Sequence, residues 1–311
     1  MAGKTNISWT DAVWNPSVGC TRVSSGCDHC YAFALHDRRY AANKKAAGNK
    51  GIPSLARPRV VMPFPLQYDV PFSRLQLLPD RLDAPLRWRK PRRVFVNSMS
   101  DLFHEEVPDT YIHDIFGVMI LAGQHTFQVL TKRPERMKEW MARDHSDAGS
   151  VVRRHLGRMG YGQAAFQQGR FAENAAWPPP NVWLGISCED QATADERIPL
   201  LLETPAAVRF VSAEPLLGPV DLHNYFQQVM EPRGPAPRIK AWQFGLLESS
   251  IDWLIVGGET GKGYRPMNLD WARSLRDQCQ AAGVPYFYKQ GSGPLPGKNR
   301  ELDGRRWEEY P

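Results

Sequence analysis

Short apolar runs alternate with longer amphipathic stretches along the chain, and polar residues follow each apolar run. The runs are rich in β-branched and aromatic side chains, which is typical of strands buried on both faces of a parallel sheet. The runs are Val94–Val96, Phe127–Leu130, Val182–Ile186, Val208–Val211, Trp253–Val256 and Pro285–Tyr288. Because the carboxyl ends of parallel strands meet at one edge, the polar residues after them are expected to form a common ligand-binding face.

Helical patterns lie between the strand patterns. Thr110–Ala122 and Leu269–Ala282 carry apolar side chains at helical spacing, and Gly283 stands where a C-terminal helix cap is expected. Alternating strands and helices predict right-handed βαβ units. With the N-terminal segment included, about seven units predict an α/β fold: a partial or full (β/α) TIM-type barrel. An open, doubly wound sheet is the alternative that the pattern leaves open.

Two stretches interrupt this pattern and predict insertions in a single barrel domain. The domain is expected to span residues 1–290, with insertions at about 144–180 and 222–250. Residues 291–311 form a Gly- and Pro-rich tail that is expected to be loosely ordered.

Composition narrows the class of protein. The chain has 311 residues, of which 42% are hydrophobic and 23% charged, as in ordinary globular proteins. Its five cysteines, an odd and small number for a chain of this length, argue against a secreted disulfide scaffold and indicate a reducing compartment. The start resembles no signal peptide, and the longest apolar run is too short to span a bilayer. We therefore expect a cytoplasmic protein with no membrane partner.

Three cysteines lie close together in the sequence. Cys20, Cys27 and Cys30 form a C-x6-C-x2-C arrangement in a loop with Gly19 and Gly26. Three thiolates can hold three corners of a [4Fe–4S] cluster and leave one iron open. A structural zinc site would need a fourth ligand, which His29 or His36 could supply. The spacing predicts a metal site but does not choose between iron–sulfur and zinc.

Several segments resemble an uncharacterised phage and bacterial family named for its three-cysteine motif. They are Asn6–Asp11, Trp14–Pro16, Gly19–Cys20, Gly26–Ala32, Ser98–Phe103, Leu130–Pro134, Trp183–Ser187, Ser212–Leu216 and Gly257–Glu259. That family in turn resembles radical S-adenosylmethionine enzymes, such as spore photoproduct lyase, which carry their cysteines in the loop after the first strand of a partial barrel. Their usual spacing is C-x3-C-x2-C, so the second gap here agrees and the first gap is longer.

The resemblance implies a barrel of the radical S-adenosylmethionine kind and a set of site residues. Cys20, Cys27 and Cys30 would ligate a [4Fe–4S] cluster whose open iron binds S-adenosylmethionine. Reductive cleavage of that cofactor, with an external electron donor, would give a 5′-deoxyadenosyl radical that abstracts hydrogen from substrate. The polar residues expected to bind the cofactor are Ser98, Ser100, Asp101, Lys132 or Arg133, Ser187, and Glu189 or Asp190. Glu214 and Glu259 are candidates for substrate binding.

The remaining cysteines differ in their expected roles. Cys188, at the end of a predicted strand, would face the site and could return a hydrogen atom to a product radical. Its alternative is a small buried side chain. Cys279 lies on an apolar helical stripe and is expected in the core.

The net charge of +6 permits a polyanionic partner. Basic residues cluster just before the strand that starts near Val94, and others are interleaved with aromatic residues in the first insertion. The cluster consists of Arg87, Arg89, Lys90, Arg92 and Arg93. Such a pattern suits DNA or RNA, and a solvated surface is its alternative.

Two functions follow as hypotheses. The first is a radical S-adenosylmethionine-type iron–sulfur enzyme that modifies or repairs a nucleic acid or nucleotide. The second is a non-enzymatic, zinc-stabilised nucleic-acid-binding protein.

Overall fold

The fold is built around one seven-stranded parallel sheet. A computed structural model of the chain describes residues 5–48, 66–143, 177–226 and 250–311. The strands of the sheet are Ala12–Trp14 (β1), Arg93–Val96 (β4), Thr126–Thr131 (β5), Val182–Cys188 (β6), Val208–Ala213 (β7), Trp253–Gly257 (β8) and Tyr286–Gln290 (β9). Two further strands, Ser17–Val18 (β2) and Gln76–Leu77 (β3), form a small antiparallel pair. The strand predictions are confirmed.

Helices follow most strands of the sheet. They are Tyr31–Gly48 (α1), Asp109–Leu121 (α2), Pro134–Met141 (α3), Gln191–Leu202 (α4) and Leu269–Ala282 (α5). Short 3₁₀ turns occupy Ser25–Cys27, Leu66–Tyr68, Pro79–Arg81, Ala84–Arg87 and His223–Tyr225. At the end of α5, Gly283 has φ = 65°, a left-handed conformation that glycine adopts without strain. The predicted helices and this cap are confirmed.

The strand order decides between the two predicted architectures. The strands lie in the sheet in the order β1-β4-β5-β6-β7-β8-β9, which is also their order along the chain, so the strand order never reverses direction. A doubly wound sheet needs such a reversal, so that alternative is wrong. The sheet is also strongly curled, because Trp9, just before β1, lies 6.2 Å from Trp253 on β8 between ring centroids. The architecture is therefore a partial (β/α) barrel.

Alternating side chains of the sheet contribute to two apolar clusters, and a third, smaller cluster contains Val18, Ala32 and Phe72. An inner cluster on the concave face contains Trp9, Phe95, Phe210, Trp253, Ile255 and Phe287. The larger outer cluster lies between the convex face and the helices. Gly185 belongs to the inner row of β6, where a Cβ would lie 2.6 Å from the Phe210 ring. The absence of a side chain there lets that ring lie across the sheet.

The C-terminal segment packs against the sheet, contrary to the expectation of a loosely ordered tail. The Trp253 indole donates a hydrogen bond to the Glu309 carbonyl (2.9 Å). The Tyr310 ring packs on Phe287, and the Arg93 guanidinium lies 3.9 Å from the Tyr310 ring centroid. The segment thus joins the last strand to β4 across the inner cluster. The Gly- and Pro-rich composition near residue 291 led to the wrong expectation, because composition does not indicate aromatic contacts with residues distant in sequence.

Replacing Tyr310 with alanine is expected to lower the free energy of unfolding by about 2 kcal/mol, since it removes contacts with Phe287, Trp253 and Arg93. Urea denaturation measures the change. Leu295→Ala is the matched control in the same segment, because Leu295 is 60% exposed and should change stability by at most about 0.5 kcal/mol. Equal effects of the two variants would contradict the packing described for Tyr310.

Most of both predicted insertions, with the arginines of the first, lies outside the described residues. The domain boundaries therefore stay predictions. None of the helices that the structure describes is long and apolar enough to cross a membrane.

Candidate functional site

A cavity opens at the carboxyl ends of the parallel strands. Its volume is about 210 Å³, which is roughly ten or more times what a single water needs. Cys20, Cys27 and Cys30 line it together with residues that follow most strands of the sheet. The other predicted site residues in its wall are Ser98, Ser100, Asp101, Lys132, Arg133, Ser187, Glu214 and Glu259. The expectation that polar strand ends share one face is confirmed.

The three loop cysteines are free thiols in different electrostatic surroundings. Burial raises the pKa of Cys20 to about 12, with Asp101 adding to the rise and the Arg133 guanidinium opposing it. Burial also raises the pKa of Cys30. For Cys27, burial is outweighed by the charge of Lys132 and by hydrogen bonds from the loop, so its pKa is lowered. A metal bound to all three would displace the protons of whichever thiols are protonated when it binds.

Glu189 anchors the loop that carries Cys20, Cys27 and Cys30. Its carboxylate is fully buried and accepts hydrogen bonds from the Ser24 hydroxyl (2.9 Å), the Arg197 guanidinium (3.3 Å) and the Lys132 ammonium. It is absent from the cavity wall that the described residues form. The prediction that Glu189 binds the cofactor therefore does not match its position: the carboxylate holds the loop instead.

Gly26 allows the loop to approach Glu189. A Cβ at this position would lie 2.5 Å from the Glu189 side chain, which is fully buried. Since both are buried, a larger residue at position 26 would force the Glu189 side chain or the loop to shift.

Gly26→Ala is expected to lower the free energy of unfolding by about 1–3 kcal/mol and to reduce metal binding by the loop, because overpacking pushes the loop from Glu189. Denaturation and metal analysis measure the two effects. Gly123→Ala is the control, since its Cβ would meet only the Ile120 carbonyl at an ordinary 3.6 Å. If Gly26→Ala behaved like Gly123→Ala, the loop would not depend on this contact.

A second anchor follows β8. Glu259 accepts hydrogen bonds from the Arg265 backbone amide (2.7 Å) and guanidinium, and it lies 2.8 Å from the His29 ring nitrogen Nδ1. Burial opposes the charge, but these contacts lower the pKa of Glu259 to about 2. Arg265 also donates to the Ser25 carbonyl (2.8 Å). Glu259 thus fastens the loop between Cys27 and Cys30 to the sheet.

Asp101 and Arg133 form a third connection, at the Cys20 end of the loop. Asp101 accepts hydrogen bonds from the Thr131 hydroxyl (2.7 Å), the Lys132 amide (3.1 Å) and Arg133 (3.1 Å). Arg133 continues to the Thr21 hydroxyl (2.7 Å) and lies 3.8 Å from the Cys20 sulfur. The Asp101 carboxylate is therefore occupied by the protein, while Arg133 brings positive charge to a thiol.

The serines after β4 also have protein partners. The Ser98 hydroxyl bonds to the Asn15 side chain, and the Ser100 hydroxyl lies 2.8 Å from that of Ser17. The Tyr31 hydroxyl donates to the Ser98 carbonyl (2.7 Å) and so ties the start of α1 to the same turn.

Cys188 does not face the cavity. It is fully buried in the outer cluster, whereas its neighbour Ser187 lines the cavity. The reason is that β6 extends to residue 188, so adjacent side chains point to opposite faces of the sheet. The hydrogen-donor prediction for Cys188 is corrected accordingly. Cys279 is fully buried, as expected.

The two histidines considered for zinc lie in different surroundings. His36 is fully buried, contacts the Gln67 carbonyl (2.9 Å) and packs on Tyr68 and Phe72, away from the cavity wall. His29 lines the cavity and is oriented by Glu259. Within the described ranges, no three His, Cys, Asp or Glu side chains form a ready-made site for one metal ion.

The basic cluster before β4 lies at the other end of the sheet from the cavity. Arg93 begins β4, whereas the polar cavity residues Asn97, Ser98 and Ser100 follow its end. Arg93 is paired with Asp11 (3.1 Å) and stacked on Tyr310, and Arg92 lies over the Trp88 ring.

Sequence reasoning missed two features of the cavity wall. Lys289 on β9 forms an ion pair with Glu214 (2.5 Å). Asn97, the first residue after β4, is 3% exposed and has φ = 60°. The position of Asn97 directly after a predicted strand could have placed it at the site, but it does not predict the hydrogen-bond partners of the side chain.

The fold and site define a partial parallel (β/α) barrel whose mouth is covered by a three-cysteine loop. The chain matches the profile of a family described as protein of unknown function (DUF5131) over residues 4–311, and it belongs to that family. Comparisons with curated proteins and with solved structures gave no match.

Proposed function

We propose that the protein is a radical S-adenosylmethionine-type [4Fe–4S] enzyme that modifies or repairs a nucleic acid or nucleotide. The observation that carries the proposal is the position of Cys20, Cys27 and Cys30. One loop brings all three thiols to the wall of one cavity, at the carboxyl ends of a curled parallel sheet. Ligands and cofactors bind at this edge in such folds.

The donor set suits a cluster with one open iron. Cys188 and Cys279 are buried in the outer cluster, so three thiols are available at the cavity. Three thiolates in a [4Fe–4S] cluster bind three different irons, so they surround a volume. A single zinc ion would instead need four donor atoms within about 2.3 Å of one point. The three thiols that line the cavity agree in number with the three protein ligands of such a cluster.

Positive charge beside the thiols supports the same assignment. Lys132 lowers the pKa of Cys27, and Arg133 contacts the sulfur of Cys20. Gathering three thiolates is opposed by their mutual repulsion, which nearby cations reduce. Glu189 pairs with Lys132 and Asp101 pairs with Arg133, while Glu259 holds the loop through His29.

When bound, the cluster would supply the electron, taken from an external donor, that cleaves S-adenosylmethionine to methionine and a 5′-deoxyadenosyl radical. The chain's own part is to position the cofactor and shield the radical from water. Ser187 and the Ser98–Asp101 turn form the wall beside the thiols. All five cysteines are free, which agrees with a reducing compartment such as the cytoplasm.

Anaerobic reconstitution with iron and sulfide tests the proposal. We expect about four irons per chain, a broad visible absorption band, and formation of 5′-deoxyadenosine on reduction with S-adenosylmethionine. About one zinc per chain, without iron uptake or cofactor cleavage, would instead support the zinc-stabilised binding protein.

A further inference from the structure

The side chain of Asn97 carries an observation that the proposed cluster does not use. Asn97 lines the cavity and is 3% exposed, and both its amide oxygen and its amide nitrogen lack a hydrogen-bond partner among the described residues. Leaving such groups unpaired in the interior costs about 1–3 kcal/mol each. A hydrogen-bonding partner from outside the described residues would remove this cost.

The backbone conformation of Asn97 favours asparagine, but it does not require the side-chain carboxamide. Its φ of 60° lies in the left-handed region, which asparagine tolerates better than most residues. Two backbone hydrogen bonds hold the turn. The backbone N–H of Asn97 donates to the Trp14 carbonyl (2.8 Å), and the backbone N–H of Ser100 donates to the Asn97 carbonyl (3.2 Å). Glycine would meet this backbone requirement equally well and would bury no polar side chain.

A second unpaired group lies in the same cavity wall. The indole nitrogen of Trp9 is a buried donor with no partner in the described part of the chain. The Trp9 ring packs on Phe95, 4.6 Å between centroids, and Leu130 packs beside them. All three residues also line the cavity, so an apolar, largely aromatic floor lies beside the unpaired polar atoms.

We propose that Asn97 recognises the hydrogen-bonding edge of a nucleobase. A carboxamide presents one donor and one acceptor side by side, and a nucleobase offers the complementary pair on its edge. The aromatic side chains in the wall of the same cavity suit a flat ring. Shielding from solvent strengthens each of these hydrogen bonds. The base belongs either to the nucleotide substrate or to the adenosyl group of the cofactor. This assignment of the base to a substrate or cofactor rests on the proposed function.

Nucleoside binding to the full chain tests the inference. Adenosine, guanosine, cytidine and thymidine are titrated by calorimetry, with ribose as the ligand lacking a base. We expect at least one nucleoside to bind and ribose not to bind. Asn97→Gly, which keeps the left-handed turn but removes the amide, should weaken that binding about 5- to 150-fold.

Asn299→Gly is the matched control, because Asn299 is the other asparagine with positive φ (53°) and lies outside the cavity wall. It should leave binding unchanged. If Asn97→Gly retains wild-type affinity, or if neither a nucleoside nor S-adenosylmethionine binds the wild type, the inference is overturned. Asn97→Asp is a second variant in case Asn97→Gly does not fold. It preserves the shape of the side chain and replaces the amide donor with an acceptor. If the four nucleosides kept the same order of affinity in Asn97→Asp, the inference would also be overturned.

Competition separates the two sources of the base. Displacement of the nucleoside by S-adenosylmethionine assigns Asn97 to the cofactor's adenine, and simultaneous binding assigns it to the substrate. Iron uptake by the wild type is measured separately. Base binding without iron uptake would reject the proposed function while supporting the role of Asn97.

Discussion

Replacing Cys27 with serine is expected to abolish iron binding and the visible absorption of the reconstituted protein. Cys27 lies in the middle of the three-thiol loop, and its pKa is the one that the surroundings lower, so it is the thiol most readily available as thiolate. Serine keeps the size of the side chain but is a poor ligand for iron. Iron and sulfide analysis after anaerobic reconstitution measures the loss.

Cys188→Ala is the control for this experiment. Cys188 is equally a free cysteine, but it is buried in the outer cluster and should leave the iron content unchanged. Two results would contradict the assignment: full iron content in Cys27→Ser, or loss of iron in Cys188→Ala with the fold intact.

The largest loss of stability is expected from Glu189→Gln. The substitution removes the negative charge between Lys132 and Arg197, whose side chains are only 17% and 3% exposed. Breaking a buried ion pair in this way lowers the free energy of unfolding by about 3–5 kcal/mol, because the remaining charges are left without compensation. Urea denaturation, read from the midpoint at constant slope, measures the change.

Glu203→Gln provides the comparison, since its ion pair with Lys138 lies on the surface and should contribute at most about 1 kcal/mol. Similar shifts for the two variants would show that Glu189 does not anchor the loop as described. Restoring part of the stability by adding Lys132→Met to Glu189→Gln would identify the uncompensated cation as the cause.

The repeating elements could be predicted because their pattern is local. Apolar runs such as Val208–Val211 and the amphipathic stretch ending at Gly283 carry their own signals for strand, helix and cap. The polar residues after these runs follow from the same pattern, since parallel strands bring their carboxyl ends together. Three cysteines within a short loop likewise identify a candidate site without any tertiary information.

The roles of individual side chains in that site were harder to predict. Ser187 and Cys188 are neighbours, yet one lines the cavity and the other is in the core, because β6 runs two residues further than its apolar run. Glu189 looked like a ligand-binding carboxylate and proved to be an anchor, since its partners Ser24, Lys132 and Arg197 come from three different segments.

The sequence by itself therefore determined a parallel α/β fold, the edge of the sheet at which a site would form, and the cysteines that belong to it. Only the tertiary structure decided that the sheet is curled and open, that the C-terminal segment packs against it, and that Asn97 has an unpaired amide in the cavity wall. The physical reason is the range of the interactions. Hydrophobic periodicity and turn preferences act over a few residues, whereas curvature, ion pairing and hydrogen-bond satisfaction depend on groups brought together from distant parts of the chain.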